Sequence, residues 1–203
     1  MSTSMSYQPK AEEIKALREE TSAPMMDCRK ALVEANGDMA KAKILLLERG
    51  AAQAEKKSER SANEGLVTSY IHAGGKIGVL VEVNSETDFV ARNPKFADLT
   101  RDIAMHIAAM SPQYLDRASV PADVVAKARE EFRAAVPAGK PPEVAEKIVE
   151  GKLNKWYEEH VLLDQPFVKD DSLSVSDLIN AAVGSLGEKI QVRRFTKFTL
   201  GEN

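Results

Sequence analysis

At 203 residues, with 43% hydrophobic and 29% charged side chains, the chain can build a buried core in one large domain, or in a small domain joined to a medium one. Its net charge of −3 is spread along the sequence, which argues against direct nucleic-acid binding, and no apolar run approaches the roughly 20 residues that cross a bilayer. A lone Cys28 excludes an intrachain disulfide and, with a polar start that lacks a signal or transit pattern, points to a soluble cytoplasmic protein.

Residues 1–50 read as a small three-helix module with a thin core. Ile14 and Leu17 share a helix face, and Thr21-Ser22-Ala23-Pro24 interrupts the pattern. Thr21 or Ser22 is the expected cap of a second helix from about Met25 to Ala35, with Met26, Ala31 and Leu32 on its buried side. At Asn36-Gly37-Asp38, Gly37 suits the left-handed position that ends a helix and Asp38 the cap that begins the next. A third helix carries Ile44, Leu45 and Leu47 as far as Gly50. Residues 51–63 are polar and helix-tolerant, and are expected to form a solvated helical tether to a core spanning 64–203.

In that core the period changes. Val67, Ser69 and Ile71 alternate with Thr68 and Tyr70, Gly74-Gly75 supplies the positive dihedrals of a tight hairpin, and Ile77, Val79, Val81 and Val83 form one face of a second strand. Pro94 to Met110 is the best amphipathic helix of the chain, through Phe96, Leu99, Ile103, Ile107 and Met110. Further helices follow Pro121 and Pro142, because proline suits a first helical turn, and another runs near Val175–Ser185. The last strand, Lys189 to Leu200, changes phase between Val192 and Phe195, which suggests a bulge near Arg193 and Arg194. A hairpin plus a distant C-terminal strand, with helices between, predicts an α+β fold around a three-stranded antiparallel sheet.

The junction between the second strand and the long helix, Ser85-Glu86-Thr87-Asp88-Phe89-Val90-Ala91-Arg92-Asn93, sets an aromatic beside a carboxylate at the edge of the core. Such a pair suits a probe pushed into another protein. The competing reading has Asp88 capping the next helix and Phe89 packing beneath it. No phosphate-binding glycine loop, paired-cysteine zinc spacing or His-Glu-x-x-His is present. His106 shares the apolar helix face and reads as a packing residue, His160 ends a helix, and His72, beside the glycine turn, is the histidine expected on display. Cys28 reads as a small buried hydrophobe. No nucleophile, base and orienting group assemble, so no catalytic residue, metal or cofactor is assigned and bond chemistry is not expected.

The segment Glu20-Thr21-Ser22-Ala23-Pro24-Met25-Met26-Asp27-Cys28-Arg29-Lys30-Ala31-Leu32, with Asn36-Gly37-Asp38, closely resembles the N-terminal module of the bacterial elongation factor Ts family. Glu82-Val83-Asn84-Ser85-Glu86-Thr87-Asp88-Phe89-Val90-Ala91-Arg92 resembles that family's most diagnostic stretch. A further match runs from Gly139-Lys140-Pro141 through Lys147–Lys152 to Gln165-Pro166-Phe167. The resemblance covers nearly the whole chain in order. It implies a ubiquitin-associated-like module followed by an α+β core, and a guanine-nucleotide exchange factor that releases GDP from elongation factor Tu. Thr87, Asp88, Phe89 and Val90 would disturb the partner's magnesium site, with Met25, Met26, Asp27 and His72 as further contacts. Pro24 stands where members often have glycine. Longer members carry two core halves and an inserted coiled-coil hairpin. This chain reads as a single half without the insertion, so a homodimer is expected to rebuild the paired surface.

Overall fold

The computed structural model describes residues 7–202. The N-terminal helices are α1 (Ala11–Thr21), α2 (Met25–Glu34) and α3 (Met39–Lys57). Strands β1 (Glu64–Ile71) and β2 (Ile77–Ser85) follow, then the short α4 (Asp88–Ala91) and the long α5 (Pro94–Met110). The remainder comprises α6 (Ala122–Ala134), α7 (Pro142–His160), β3 (Pro166–Phe167), β4 (Asp170–Ser174), α8 (Val175–Leu186) and β5 (Ile190–Thr199). The expected α+β fold is present: β1, β2 and β5 form an antiparallel sheet in that order, and β3 pairs with β4. The chain divides into two compact units. The first takes the chain as far as Thr68, Glu82–Arg101 and Asp177–Arg193; the second takes Ser69–Val81, Asp102–Ser176 and Arg194 onward.

In the first unit, Leu17, Cys28, Ala31, Leu32, Ala35, Ala42 and Leu46 close a small core between α1, α2 and α3. Cys28 is buried as expected, and burial pushes its thiol pKa up. Three local expectations fail for physical reasons. Neither Thr21 nor Ser22 caps α2: Pro24 precedes it without a side-chain cap, Ser22 adopts the left-handed conformation that ends α1, and the Thr21 hydroxyl donates back to the Leu17 carbonyl at 2.6 Å. Met26 faces out, because Cys28, Ala31 and Leu32 already complete the buried face of α2. The α3 helix does not end at Gly50 but continues to Lys57. Gly50 is buried in mid-helix, where a side chain would meet the Asn180 carbonyl oxygen at 2.9 Å. It is a point of close approach rather than a stop, and the Ala-Ala-Gln-Ala-Glu-Lys-Lys that follows is good helix-forming sequence. The compact units accordingly do not divide at residue 50. Gly37 takes the expected positive φ of 83°, and Asp38 caps α3 by accepting from Lys41 N–H at 3.1 Å.

The second unit contains the hairpin turn, where Gly74 and Gly75 both have positive φ and His72 N–H donates to the Ile77 carbonyl at 2.9 Å. On β2, Val79, Val81 and Val83 are buried as the alternation requires. Along β5 the buried phase changes across the exposed pair Arg193–Arg194, where the irregularity was expected. Helices α6 and α7 form an antiparallel hairpin: Arg129 pairs with Glu146 and Glu150, Arg133 with Glu146, and Val120, Ala128, Leu153, Tyr157 and Val161 fill its core. The two helices expected after Pro121 and Pro142 are thus present, paired with each other. The Trp156 ring stacks on His160, 4.5 Å between centroids at 12°. His106 is fully buried, accepts from Val168 N–H at 3.2 Å through Nδ1, and donates from Nε2 to the Gln165 side-chain oxygen at 2.9 Å. Burial lowers its pKa, so it packs as neutral imidazole.

Candidate partner-binding site

The loop from Ser85 to Asn93 leaves β2 and makes a single helical turn before α5. Thr87, rather than Asp88, caps that turn, accepting from Val90 N–H at 3.4 Å, and the Ser85 hydroxyl donates to the Thr87 carbonyl at 3.0 Å. Asp88 instead forms an i,i+4 ion pair with Arg92 at 2.8 Å on the surface. Val90 and Ala91 turn inward and anchor the loop, whereas the Phe89 side chain is left 79% exposed. The reading in which Phe89 packs beneath the helix is therefore overturned. With Val90 buried, Thr87, Asp88 and Phe89 are the members of the quartet exposed to solvent, Thr87 with its hydroxyl already hydrogen-bonded.

Residues about one hundred positions away brace this loop. The Glu188 carboxylate accepts the Thr87 N–H at 3.0 Å and the Thr87 hydroxyl at 2.6 Å. The Lys189 N–H donates to the Glu86 carboxylate at 2.6 Å, and Arg60 reaches the same carboxylate at 3.3 Å. The Lys189 bond holds the Glu86 pKa below the usual carboxylate range against the upward effect of desolvation, and the Arg60 contacts add to the lowering. Lys189 Nζ also donates to the carbonyls of Ser58 and Arg60. No local periodicity marks Glu188 and Lys189: in sequence they are a charged pair after a glycine, and a helix-to-strand turn is the ordinary place for one.

Met25 and Met26, 55% and 57% exposed, begin α2 in the same unit. Asp27 beside them pairs with Lys30 at 3.7 Å. The carbonyl of Ser22, three residues before Met25, accepts from Lys95 Nζ at 3.3 Å and from the Ser185 hydroxyl at 2.8 Å. The start of α2 is thereby tied to the first turn of α5 and to the end of α8. His72 belongs to the second unit. It is exposed, shares a 3.2 Å hydrogen bond with Tyr70, and lines a cleft of about 550 Å3 with Ile77, Met105, Ala108, Ala109 and Val168. Among the described residues no helix is long and apolar enough to cross a membrane, and no group of His, Cys, Asp and Glu is arranged to hold a metal ion.

The model of the family described as "Elongation factor TS" matches residues 51–202. The elongation factor Ts of Anaeromyxobacter sp. (strain Fw109-5) is 59% identical over 190 residues, covering 93% of this chain and 87% of the relative. Those of Koribacter versatilis (strain Ellin345) and Moorella thermoacetica (strain ATCC 39073 / JCM 9320) are each 54% identical over 193 residues, covering 95% of this chain and 88% and 95% of the relatives. Together with the α+β fold, these likenesses define a translation elongation factor. Within that class, the chain belongs to the elongation factor Ts family.

Proposed function

We propose that the chain acts as a guanine-nucleotide exchange factor: it binds the GDP-bound GTPase elongation factor Tu and promotes GDP release by disturbing that partner's magnesium and phosphate site. The observation that carries this reading is an aromatic ring left four-fifths exposed on a loop whose backbone is braced from several sides. A braced loop keeps its direction when pushed, whereas a mobile one would yield. Met25, Met26 and Asp27 supply further contact area in the same unit, and His72 lies beside an apolar cleft in the other. Asp88, displayed next to Phe89, engages a polar group of the partner.

Exchange needs no bond chemistry; it needs coupling. Factor and nucleotide must weaken each other's binding by the same ratio. A ratio of about 10⁴ corresponds to roughly 5.5 kcal/mol of differential binding, and one fully buried phenylalanine is worth about 1.5–3 kcal/mol. Phe89 therefore acts as the wedge, and the remaining contact surface supplies the rest. On this reading the protein is not an enzyme, has no cofactor, and works in the cytoplasm, with α1–α3 as a ubiquitin-associated-like module. A homodimer belongs to the same proposal: Ile71, Leu80, Phe198 and Leu200 are large apolar side chains exposed on the second unit, which a second copy of the chain would cover. The deciding experiment is release of labelled GDP from elongation factor Tu with and without this chain. Marked acceleration is expected; an unchanged rate would leave an adaptor that binds without exchanging.

A further inference from the structure

We propose that Glu188 is the positioning residue of the Phe89 loop, an assignment that rests on the exchange reading above. The α4 turn is four residues long, and one turn of helix has no stability of its own, because nucleation fixes several dihedrals for a single hydrogen bond. Something outside the loop must hold it. The Thr87 N–H lies at the cap, where the helix provides no acceptor, and Glu188 accepts it at 3.0 Å while also accepting the Thr87 hydroxyl at 2.6 Å. The same Thr87 oxygen receives Val90 N–H at 3.4 Å. A continuous hydrogen-bonded path thus runs from Glu188 through Thr87 to Val90, spanning the residue that carries the exposed ring.

Glu188 is itself held. Gly187 takes the positive φ of 76° that ends α8, its carbonyl accepts from Lys57 Nζ at 2.6 Å, and Lys189 binds Glu86 and the carbonyls of Ser58 and Arg60. One turn earlier Ser185 donates to the Ser22 carbonyl, just ahead of Met25. A five-residue segment, Ser185–Lys189, therefore reaches both the loop with Phe89 and the start of α2. Charge-assisted pairs of this kind are the stronger hydrogen bonds. Without a side chain at 188 that reaches Thr87, the cap loses two bonds at once and the direction of Phe89 is no longer set.

The test compares Glu188→Ala, Glu188→Gln, Thr87→Val and Phe89→Ala in the full chain, measuring stimulated GDP release over a range of factor concentrations, with circular-dichroism melts alongside. Glu188→Ala is expected to lower the saturated rate by about tenfold or more while the half-saturating concentration moves by less than about threefold. Glu188→Gln should restore most of that rate, because its amide oxygen accepts Thr87 N–H while its NH₂ donates to the Thr87 oxygen. A lost fold alone would not produce that split or that rescue. Should Glu188→Ala fail to fold, Thr87→Val decides, and a rate within about twofold of wild type overturns the proposal. So does a folded Glu188→Ala at the wild-type rate while Phe89→Ala is slow. A Glu188→Gln variant as slow as Glu188→Ala would assign the effect to charge and likewise overturn it. If Phe89→Ala itself exchanges at the wild-type rate, the exchange reading of the loop falls instead.

Discussion

Replacing Phe89 with alanine separates a wedge from a packing residue. Full burial of a phenylalanine is worth about 1.5–3 kcal/mol. With the side chain 79% exposed, the free protein draws on only about a fifth of that, so Phe89→Ala should cost its fold roughly 0.3–0.6 kcal/mol. For a chain of this size that lowers the melting temperature by about 1–2 °C. The remaining four-fifths becomes available only against the partner, roughly 1.2–2.4 kcal/mol, and its loss should slow stimulated GDP release by about 8- to 60-fold. Thermal melts by circular dichroism and single-turnover release of labelled GDP measure the two quantities on the same sample. A fall in melting temperature of more than about 6 °C with a proportionate loss of activity would refute the reasoning, since a deeply packed ring costs about 3–5 kcal/mol on truncation.

Gly50→Ala should destabilise the protein although alanine is the better helix former by about 1 kcal/mol, because the new methyl would press on the Asn180 backbone and overpacking costs about 1–3 kcal/mol; a urea midpoint above that of wild type would contradict this. His106, with its pKa lowered by burial, binds a proton more readily when unfolded, so its contribution is intact above about pH 6.5 and is lost as pH falls from there toward its folded value. Melting temperatures measured from pH 8 to 5 should decline on that limb in wild type and less steeply in His106→Leu, and parallel profiles would refute the link. Phe198→Asp, on the exposed apolar surface of the second unit, should shift the molar mass from dimer to monomer by light scattering at about tens of micromolar; an unchanged mass would remove that surface from the dimer.

What could be read from the sequence was what local periodicity encodes. The α5 helix begins and ends where its apolar spacing and Pro94 place it, and the Gly74-Gly75 turn and the buried valines of β2 follow from short-range sterics. The same logic misjudged Gly50, since glycine reads as a stop unless one knows that another backbone approaches it. Met26 was misassigned because three small or branched side chains already fill the face it would share. At the loop, the aromatic beside a carboxylate was visible, but whether Phe89 pointed in or out was not, because helix capping and display use the same residue types. The brace was out of reach altogether: Thr87 and Glu188 are 101 positions apart, and a threonine and a glutamate carry no pattern that announces their pairing.

The stacking of Trp156 on His160 has a practical consequence. The chain has one tryptophan, so its indole emission is a local report from the α7 end of the second unit, where the ring lies face to face with that of His160. A tryptophan fluorescence trace is thus a one-sided witness, following one unit while the unit that carries Phe89 stays dark.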